Sequence, residues 1–423
     1  MNVRRSAAAL AAVAALGTAV APAALADDAS PSPSTALPSG LYGKKDPKFD
    51  GVFRQSYALL AQDVTGVKPA AKAVDWLTGQ QCGSGGFAAY RADAAEPCDS
   101  KTQVDSNSTA AAVQALAALG GEKKTVDKGI AWLKSVQNQD GGWGYNPGLP
   151  SDANSTGIVI GALAAAGEKP ASATSQQGKS PLDALARLAM DCAANGGAFG
   201  LADATSGQLT PNADATAAGV LGGLGGLGKG LVVAAPKKAA AAPKCAAADS
   251  AGQAAANGTG YLLKTLGTSG HLMSSMPGTD GEADKPDVGN TADAVVALAA
   301  AGQGEQAKKS AGWLAKNSAA WAKQSGPAAY AQLVFAAHAA GLDPRDFGGA
   351  DLVKQLNATG PTPAKTADAA KGDAKDKDKA EEKSDEKKDD DGSGISVWWI
   401  VGVGLAAGAG IGFLLSGRKK NQL

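Results

Sequence analysis

A helical block recurs down the middle of this chain. Lys128-Gly129-Ile130-Ala131-Trp132-Leu133, followed by Gln137, Gly141 and Trp143, is matched upstream by Lys72, Trp76, Leu77, Gln81, Gly85 and Phe87. The two aromatic ends are 56 residues apart, and a third end, Gly197-x-Phe199, lies 56 further on. A fourth copy, from Asn257-Gly258-x-x-Tyr261-Leu262 to Gly270-x-Leu272, is degenerate. The fifth keeps Lys309, Trp313 and Leu314 but lacks the Gly-aromatic end. A fixed period with decaying edges predicts a repeat architecture, in which no unit buries its apolar face alone.

Each copy leads into a second element. Asp105-Ser-Asn107-Ser-Thr109, Asp152-Ala-Asn154-Ser-Thr156, Asn212-Ala-Asp214-Ala-Thr216 and Asn290-Thr291 each open an apolar run. These are the residue types that satisfy the orphan N–H groups of a first helical turn. The runs are apolar nearly all round, which predicts buried inner helices, whereas the Trp-Leu elements carry charge on one face and predict outer ones. Inner helices are expected near 52–62, 107–119, 154–166, 214–227, 290–302 and 327–341. Outer ones are expected near 70–81, 125–137, 181–194, 253–266, 306–318 and 348–357. That is six and six, with an inner helix first and an outer one last, so the ends can meet and close a ring. Residues 228–250 read as a loop insertion between the third and fourth units.

The two ends of the chain carry export signals. Arg4 and Arg5, the apolar stretch Ala7 to Val20, and Ala24-Leu25-Ala26 before Asp27 read as a signal peptide over 1–26. Residues 27–48, rich in Ser, Pro and Ala at their start, read as a flexible lead-in to a repeat domain over 49–357. Residues 358–394 are expected to be a disordered stalk: Lys365 to Asp391 holds 8 lysines and 11 acids with almost nothing apolar. Ile395 to Leu415 is 21 residues without a charge and is followed by Arg418-Lys419-Lys420. It predicts a transmembrane helix over 395–415 with a cytoplasmic tail over 416–423, and so a repeat domain tethered outside the cell. Gly404, Gly408 and Gly412 would let two such helices pack closely, which leaves the oligomeric state open.

Four cysteines in an exported chain predict two disulfides. Three pairings are possible on paper, and nearest-neighbour pairing, Cys82 with Cys98 and Cys192 with Cys245, is the expectation. Lys+Arg and Asp+Glu both number 40 in 423 residues, so no basic excess exists to attract nucleic acid. With two histidines, His271 and His338, a His-ligated metal site is disfavoured, and neither a metal nor a cofactor is expected.

The Lys128–Trp143 block resembles the QW repeat of squalene/hopene cyclases at every position of that consensus. The openings of the inner helices are similar to the corresponding segments of protein prenyltransferase β-subunits. The resemblance covers about residues 49–357 and implies an all-α fold, an (α/α)6 toroid of inner and outer helices. With the stalk and transmembrane helix added, that is the expected fold class. It also implies structural roles for Trp76, Gln81, Phe87, Trp132, Gln137 and Trp143, with glutamine and indole tying neighbouring repeats together. Trp143 and Tyr145 have an alternative use, stacking on a ligand at the mouth of the ring.

The chemistry of the resembled enzymes is missing. There is no DxDD acid, no Asp/Cys/His zinc set, and Cys82-Gly83-Ser84-Gly85 lacks the glutamine of a thioester. The glycine run at 222–228 follows a helix and has no GK[ST], so it is no phosphate cradle. Cobalamin carriers also resemble this arrangement, without catalytic residues, but their second β-rich domain is absent. The expected function is therefore a non-catalytic surface module that binds a small ligand, a corrinoid or another, or a partner such as a membrane transporter. The alternatives are a terpenoid cyclase or prenyltransferase-like enzyme and a structural or adhesive protein. Candidate ligand contacts are the polar residues at the inner-helix N-termini, Asp105, Asn107, Thr109, Asp152, Asn154, Thr156, Asn212, Asp214, Thr216 and Asn290, which also suit simple capping.

Overall fold

A computed structural model describes residues 37–202, 206–225, 230–274 and 285–364, nearly all within a unit that begins at Pro38. The expected signal peptide, the stalk beyond residue 364, the span 395–415 and the tail 416–423 lie outside the described residues.

Six helices, numbered in chain order with the rest, form the interior: α1 (Gly51–Val64), α3 (Ser106–Leu119), α5 (Ala153–Ala165), α8 (Ala213–Gly223), α10 (Val288–Ala300) and α13 (Pro327–Ala339). Each packs on the next, and α13 packs back on α1, so the six enclose a central axis. Outside them lie α2 (Ala71–Gly79), α4 (Lys123–Ser135), α6 (Pro181–Leu188), α9 (Ala251–Leu266), α11 (Gly304–Asn317) and α14 (Leu352–Asn357), each against the inner helix preceding it or, for α6 and α9, the neighbouring pair. The amphipathic α4 shows why: Val126, Ile130 and Leu133 are buried at i, i+4 and i+7, while Lys123, Lys124, Lys128 and Lys134 are exposed. The inner helices, mostly Ala, Gly, Val and Leu, are buried on both faces. Short helices α7 (Cys192–Asn195) and α12 (Ala319–Ser325) complete the set.

The expected fold class needs correction. Three two-stranded antiparallel hairpins interrupt the helices, so the chain is not all-α: β1 (Phe87–Ala88) with β2 (Val104–Asp105), β3 (Gly200–Ala202) with β4 (Leu209–Pro211), and β5 (Leu272–Met273) with β6 (Pro286–Asp287). Among the described residues no helix is long and apolar enough to cross a membrane. The lead-in differs as well: Leu41 and Tyr42 are buried, and Tyr42 Oη donates to Pro361 O at 3.2 Å.

Cys82 is bonded to Cys98 and Cys192 to Cys245, the nearest-neighbour pairs. Two disulfides and no free cysteine among the described residues mark a secreted or extracellular protein.

Candidate functional site

The Asp-x-Asn-x-Thr segments divide their work by helical geometry. Successive residues turn by about 100°, so positions 0 and +4 share a face and +2 points away from both. Position 0 caps: Asp105 accepts from Ser108 N at 2.6 Å, Asp152 from Ser155 N at 2.7 Å, and Asn212 from Ala215 N at 2.8 Å. Position +4 latches. Thr109 Oγ1 accepts from Phe87 N at 2.8 Å, Thr156 Oγ1 from Trp143 N at 3.1 Å, and Thr216 Oγ1 from Phe199 N at 3.0 Å. The Gly-aromatic end of each repeat is thus fastened to the first turn of the next inner helix.

The same pattern holds in the fourth unit, through a residue that sequence reasoning passed over. Asp287, not Asn290, is the cap, and Thr291 Oγ1 accepts from Leu272 N at 3.0 Å. The signal was present as Asp287-x-Gly289-x-Thr291, with glycine in the middle place. Asn290 itself donates to Asp287 Oδ2 at 2.7 Å. Asp105, Thr109, Asp152, Thr156, Asn212 and Thr216 are therefore spent on the backbone or on the caps, while Asn290 bonds the cap through its NH₂ group and keeps its Oδ1 without a partner within the protein.

The glutamine and tryptophan ties have the same character. Gln81 Nε2 donates to Gly85 O (3.0 Å) and Thr125 O (2.8 Å), and Gln137 Nε2 to Gly141 O (2.7 Å) and Ala173 O (2.9 Å). Gly141 has φ +92°, and a Cβ there would stand 2.3 Å from Ser180 O, so only glycine lets the turn press on the next outer helix. Trp143 is fully buried and its Nε1 donates to Leu133 O at 2.8 Å, which leaves it no face for a ligand. Tyr145 is half-buried; its carbonyl accepts from Ser106 N, and burial, followed by the Asp105 charge, raises its phenol pKa. Phe87 is fully buried, Trp132 lies over Gly86, and Trp76 stacks on Tyr90 with centroids 6.4 Å apart.

Position +2 is different. Asn107, Asn154 and Asp214 are buried and stand on the stripes facing the axis of the ring: Asn154 continues as Gly157, Ile158 and Gly161, and Asp214 as Ala217, Ala218 and Leu221, at i+3, i+4 and i+7. Those continuations, with Tyr57 of α1, Gln114 of α3, Asp293 and Val296 of α10, and Phe335 of α13, line a chamber to which all six inner helices contribute. Its free cavity volume is about 30 Å³. Asn154 Nδ2 donates to Asp214 Oδ2 at 2.9 Å, and Gln332 Nε2 to Asp293 Oδ1 and Oδ2 at 3.2 and 3.1 Å. Tyr57 Oη, Asn107 Oδ1, Asn154 Oδ1, Asp214 Oδ1 and Gln332 Oε1 are buried and make no hydrogen bond within the protein.

Electrostatics matches this geometry. Burial pushes the Asp293 carboxyl up to about 7, against the opposing hydrogen bond from Gln332. Burial, then the Asp293 and Asp287 charges, drives Asp214 well above the usual carboxylate range. Tyr57 is raised by burial and by both carboxylates, which places the three groups in one field. Of these buried polar groups only Asn107, Asn154 and Asp214 were marked from sequence. Tyr57, Asp293 and Gln332 sit inside apolar runs, with no spacing to single them out.

A strap closes one end. After α8 the chain dips into the chamber at Gly230–Leu231, where Leu231 N donates to Gln114 Oε1 at 2.9 Å and the Leu231 side chain is 9% exposed. Gly230 has φ +58°, and a Cβ there would overlap Gln114 Oε1 at 1.8 Å. The segment then crosses α10's exit, Ala240 N donating to Gly302 O at 2.9 Å, and is fastened at Cys245 to Cys192. No group of three or more His, Cys, Asp or Glu side chains among the described residues is placed to hold a metal ion.

No family model matches the chain, and no curated protein matches it.

Proposed function

We propose that the chain is a non-catalytic extracytoplasmic binding module, and that its small-molecule site is the interior of the helix ring rather than the rim. The observation that carries this reading is a chamber lined by all six inner helices, among whose lining residues Tyr57 keeps a buried hydroxyl without a partner in the protein and Asp293 a buried carboxyl. Leaving one such group unmade costs about 1–3 kcal/mol, and a bound molecule is the partner that removes the cost. The missing DxDD acid, zinc set and thioester support the non-catalytic part. A corrinoid is far larger than this chamber, so the site favours a smaller guest. Kinship with QW-repeat proteins belongs to the same reading, supported by the Gln137 and Trp143 ties.

The test is native mass spectrometry of the full chain after incubation with growth-medium extract. A stoichiometric adduct is expected, lost in Leu221→Trp, which fills the chamber. No adduct under any condition would sink the small-molecule reading and favour a protein partner or a structural role.

One observation favours a second reading, an isoprenoid-type cyclase or transferase. Asp293 is a carboxyl that burial keeps protonated to about 7 beside Val296 and Phe335, a proton donor against an apolar surface. Incubation with squalene or farnesyl diphosphate and gas chromatography of the extract decides it: a new hydrocarbon absent from Asp293→Asn supports the enzyme.

A further inference from the structure

The chamber is nearly full, and part of what fills it is the strap. Leu231 is one of the lining residues, and the 30 Å³ left free is room for about one water molecule. A larger guest enters only when Leu231 withdraws. The ring is shaped to receive this segment. Gln114 of α3 is buried, donates its NH₂ to Ile158 O at 3.1 Å, and has its Oε1 filled by Leu231 N. Gly161 of α5 admits the strap's backbone, since a Cβ there would stand 3.1 Å from Gly230 Cα. Farther along, a Cβ on Gly302 would come within 2.9 Å of Ala240, and one on Gly304 within 2.9 Å of Pro236. Gln303 Nε2 donates to Ala241 O at 3.1 Å.

Leu231 and Val233 are buried, but from Ala234 to Lys244 the strap has neither helix nor strand and is mostly exposed. Its one covalent tie is the Cys192–Cys245 bond. The two disulfides differ in placement. Cys82–Cys98 spans 16 residues, and Cys82 is buried. Cys192–Cys245 spans 53 residues and joins the strap to α7. Cys245 is exposed, and an open cleft of about 540 Å³, lined by Met190, Asp191 and both cysteines, leads to the bond. An exposed disulfide is the one a thiolate can reach.

Resting on the binding-module reading above, we infer that the strap is an internal plug of the guest site and that the Cys192–Cys245 disulfide is its clasp, undone by an extracytoplasmic dithiol protein. A thiolate of that partner attacks the exposed Cys245 Sγ, the S–S bond breaks, and Cys192 leaves as a thiolate that takes up a proton. The partner's second thiol loses its proton and displaces Cys245 from the mixed disulfide. Two electrons have then passed to Cys192 and Cys245, both now thiols, and the partner departs as a disulfide. With the clasp closed the plug withdraws rarely. With it open, the Gly230–Leu231 turn is kept in place by its own burial and the bond to Gln114, and the chamber empties often.

The experiment follows amide hydrogen exchange in the full chain, with benzene as the guest probe because it fills apolar cavities of about 150 Å³. Replacing both clasp cysteines, Cys192→Ser with Cys245→Ser, is expected to speed exchange at the Leu231 and Ala240 amides at least about tenfold, while α3 and α5 keep their protection. The same pair is expected to bind benzene at least about tenfold more tightly than wild type, and Leu231→Ala to do so with the clasp closed. Should the serine pair not fold, wild type is titrated with dithiothreitol and the freed cysteines are alkylated. Cys192 and Cys245 are then expected to react at a lower dose than Cys82 and Cys98, with Leu231 exchange rising at that dose. Unchanged exchange at Leu231, or Cys82 and Cys98 reacting first, overturns the clasp. Faster exchange without tighter benzene binding, or no gain in Leu231→Ala, overturns the plug. A wild-type adduct with medium extract would still support the module reading in either case.

Discussion

The rim of the ring and its interior are built from the same residue types two positions apart, and they end in opposite states. Asp105, Asp152 and Asn212 at the rim are bonded to backbone N–H groups of the turn they begin. Asn107, Asn154 and Asp214, two residues on, each keep an oxygen without a partner. The difference is about 200° of helical rotation. A polar residue facing the hairpin finds a backbone to complete, and one facing the axis finds only other side chains. Residue type alone therefore does not mark a site here; what marks it is whether the fold has already used the group.

The contrast can be broken or sharpened by substitution. The largest effect is expected from Trp143→Ala, which empties a fully buried position and leaves Leu133 O without its donor. A loss of about 3–5 kcal/mol should appear in urea unfolding, with probe binding in the ring unchanged where the protein is folded. Weakened binding would put Trp143 back among the ligand contacts.

Next in size is a pH effect. Asp293 and Asp105 ionise near the ordinary 3.8 in the unfolded chain but hold their protons to about 7 when folded. Between those values the folded state binds more protons, so their contribution to stability falls as pH rises through this window and levels off above it. The Asp287 charge raises Asp293 further and reinforces the trend, against the opposing hydrogen bond from Gln332. Asp293→Asn should lessen the fall by something on the order of 3 kcal/mol, read from unfolding midpoints on either side of the window. An unchanged slope would mean that Asp293 is solvated.

Thr216→Val removes a latch and strands the buried Phe199 N–H. A loss of about 1–3 kcal/mol is expected, and a loss indistinguishable from zero would show that the turn can find another acceptor. The smallest change carries the opposite sign. Tyr57→Phe deletes a buried hydroxyl that has no partner, so the unliganded protein should gain up to about 1 kcal/mol, measured as a raised melting temperature. Destabilisation there would mean that the phenol is already bonded, and the distinction between rim and interior would fail at that point.

Much of the local architecture can be read from the chain before any coordinates. The period of 56 residues, the Asp-x-Asn-x-Thr openings and the Gln-to-Gly spacing locate helix starts and the ties between repeats, because each is a short-range hydrogen-bond requirement. The three hairpins could not be read, since pairs of two or three residues such as Leu272–Met273 with Pro286–Asp287 carry too few side chains to show alternation. Asp287 was hidden by the glycine at its +2 place. The interior site was hidden for a deeper reason. Tyr57, Asp293 and Gln332 come from helices far apart in sequence, and only the packing of α1, α10 and α13 together makes them neighbours. The strap gave no warning either, because an Ala/Pro/Lys stretch reads as surface loop unless Gly230 is seen against Gln114.

The two ends of the folded unit are knotted to each other: Gly43 N donates to Thr359 O at 2.9 Å and Ala364 N to Lys68 O at 3.0 Å. For a protein engineer this makes the starting point of the chain arbitrary. A short linker could join the region of Pro38 to that of Ala364, and new termini could be opened at the exposed Pro147–Gly148 turn, with every tie between repeats intact. Such a permuted chain would carry its fusion partners on the hairpin side of the second unit, leaving the strap untouched.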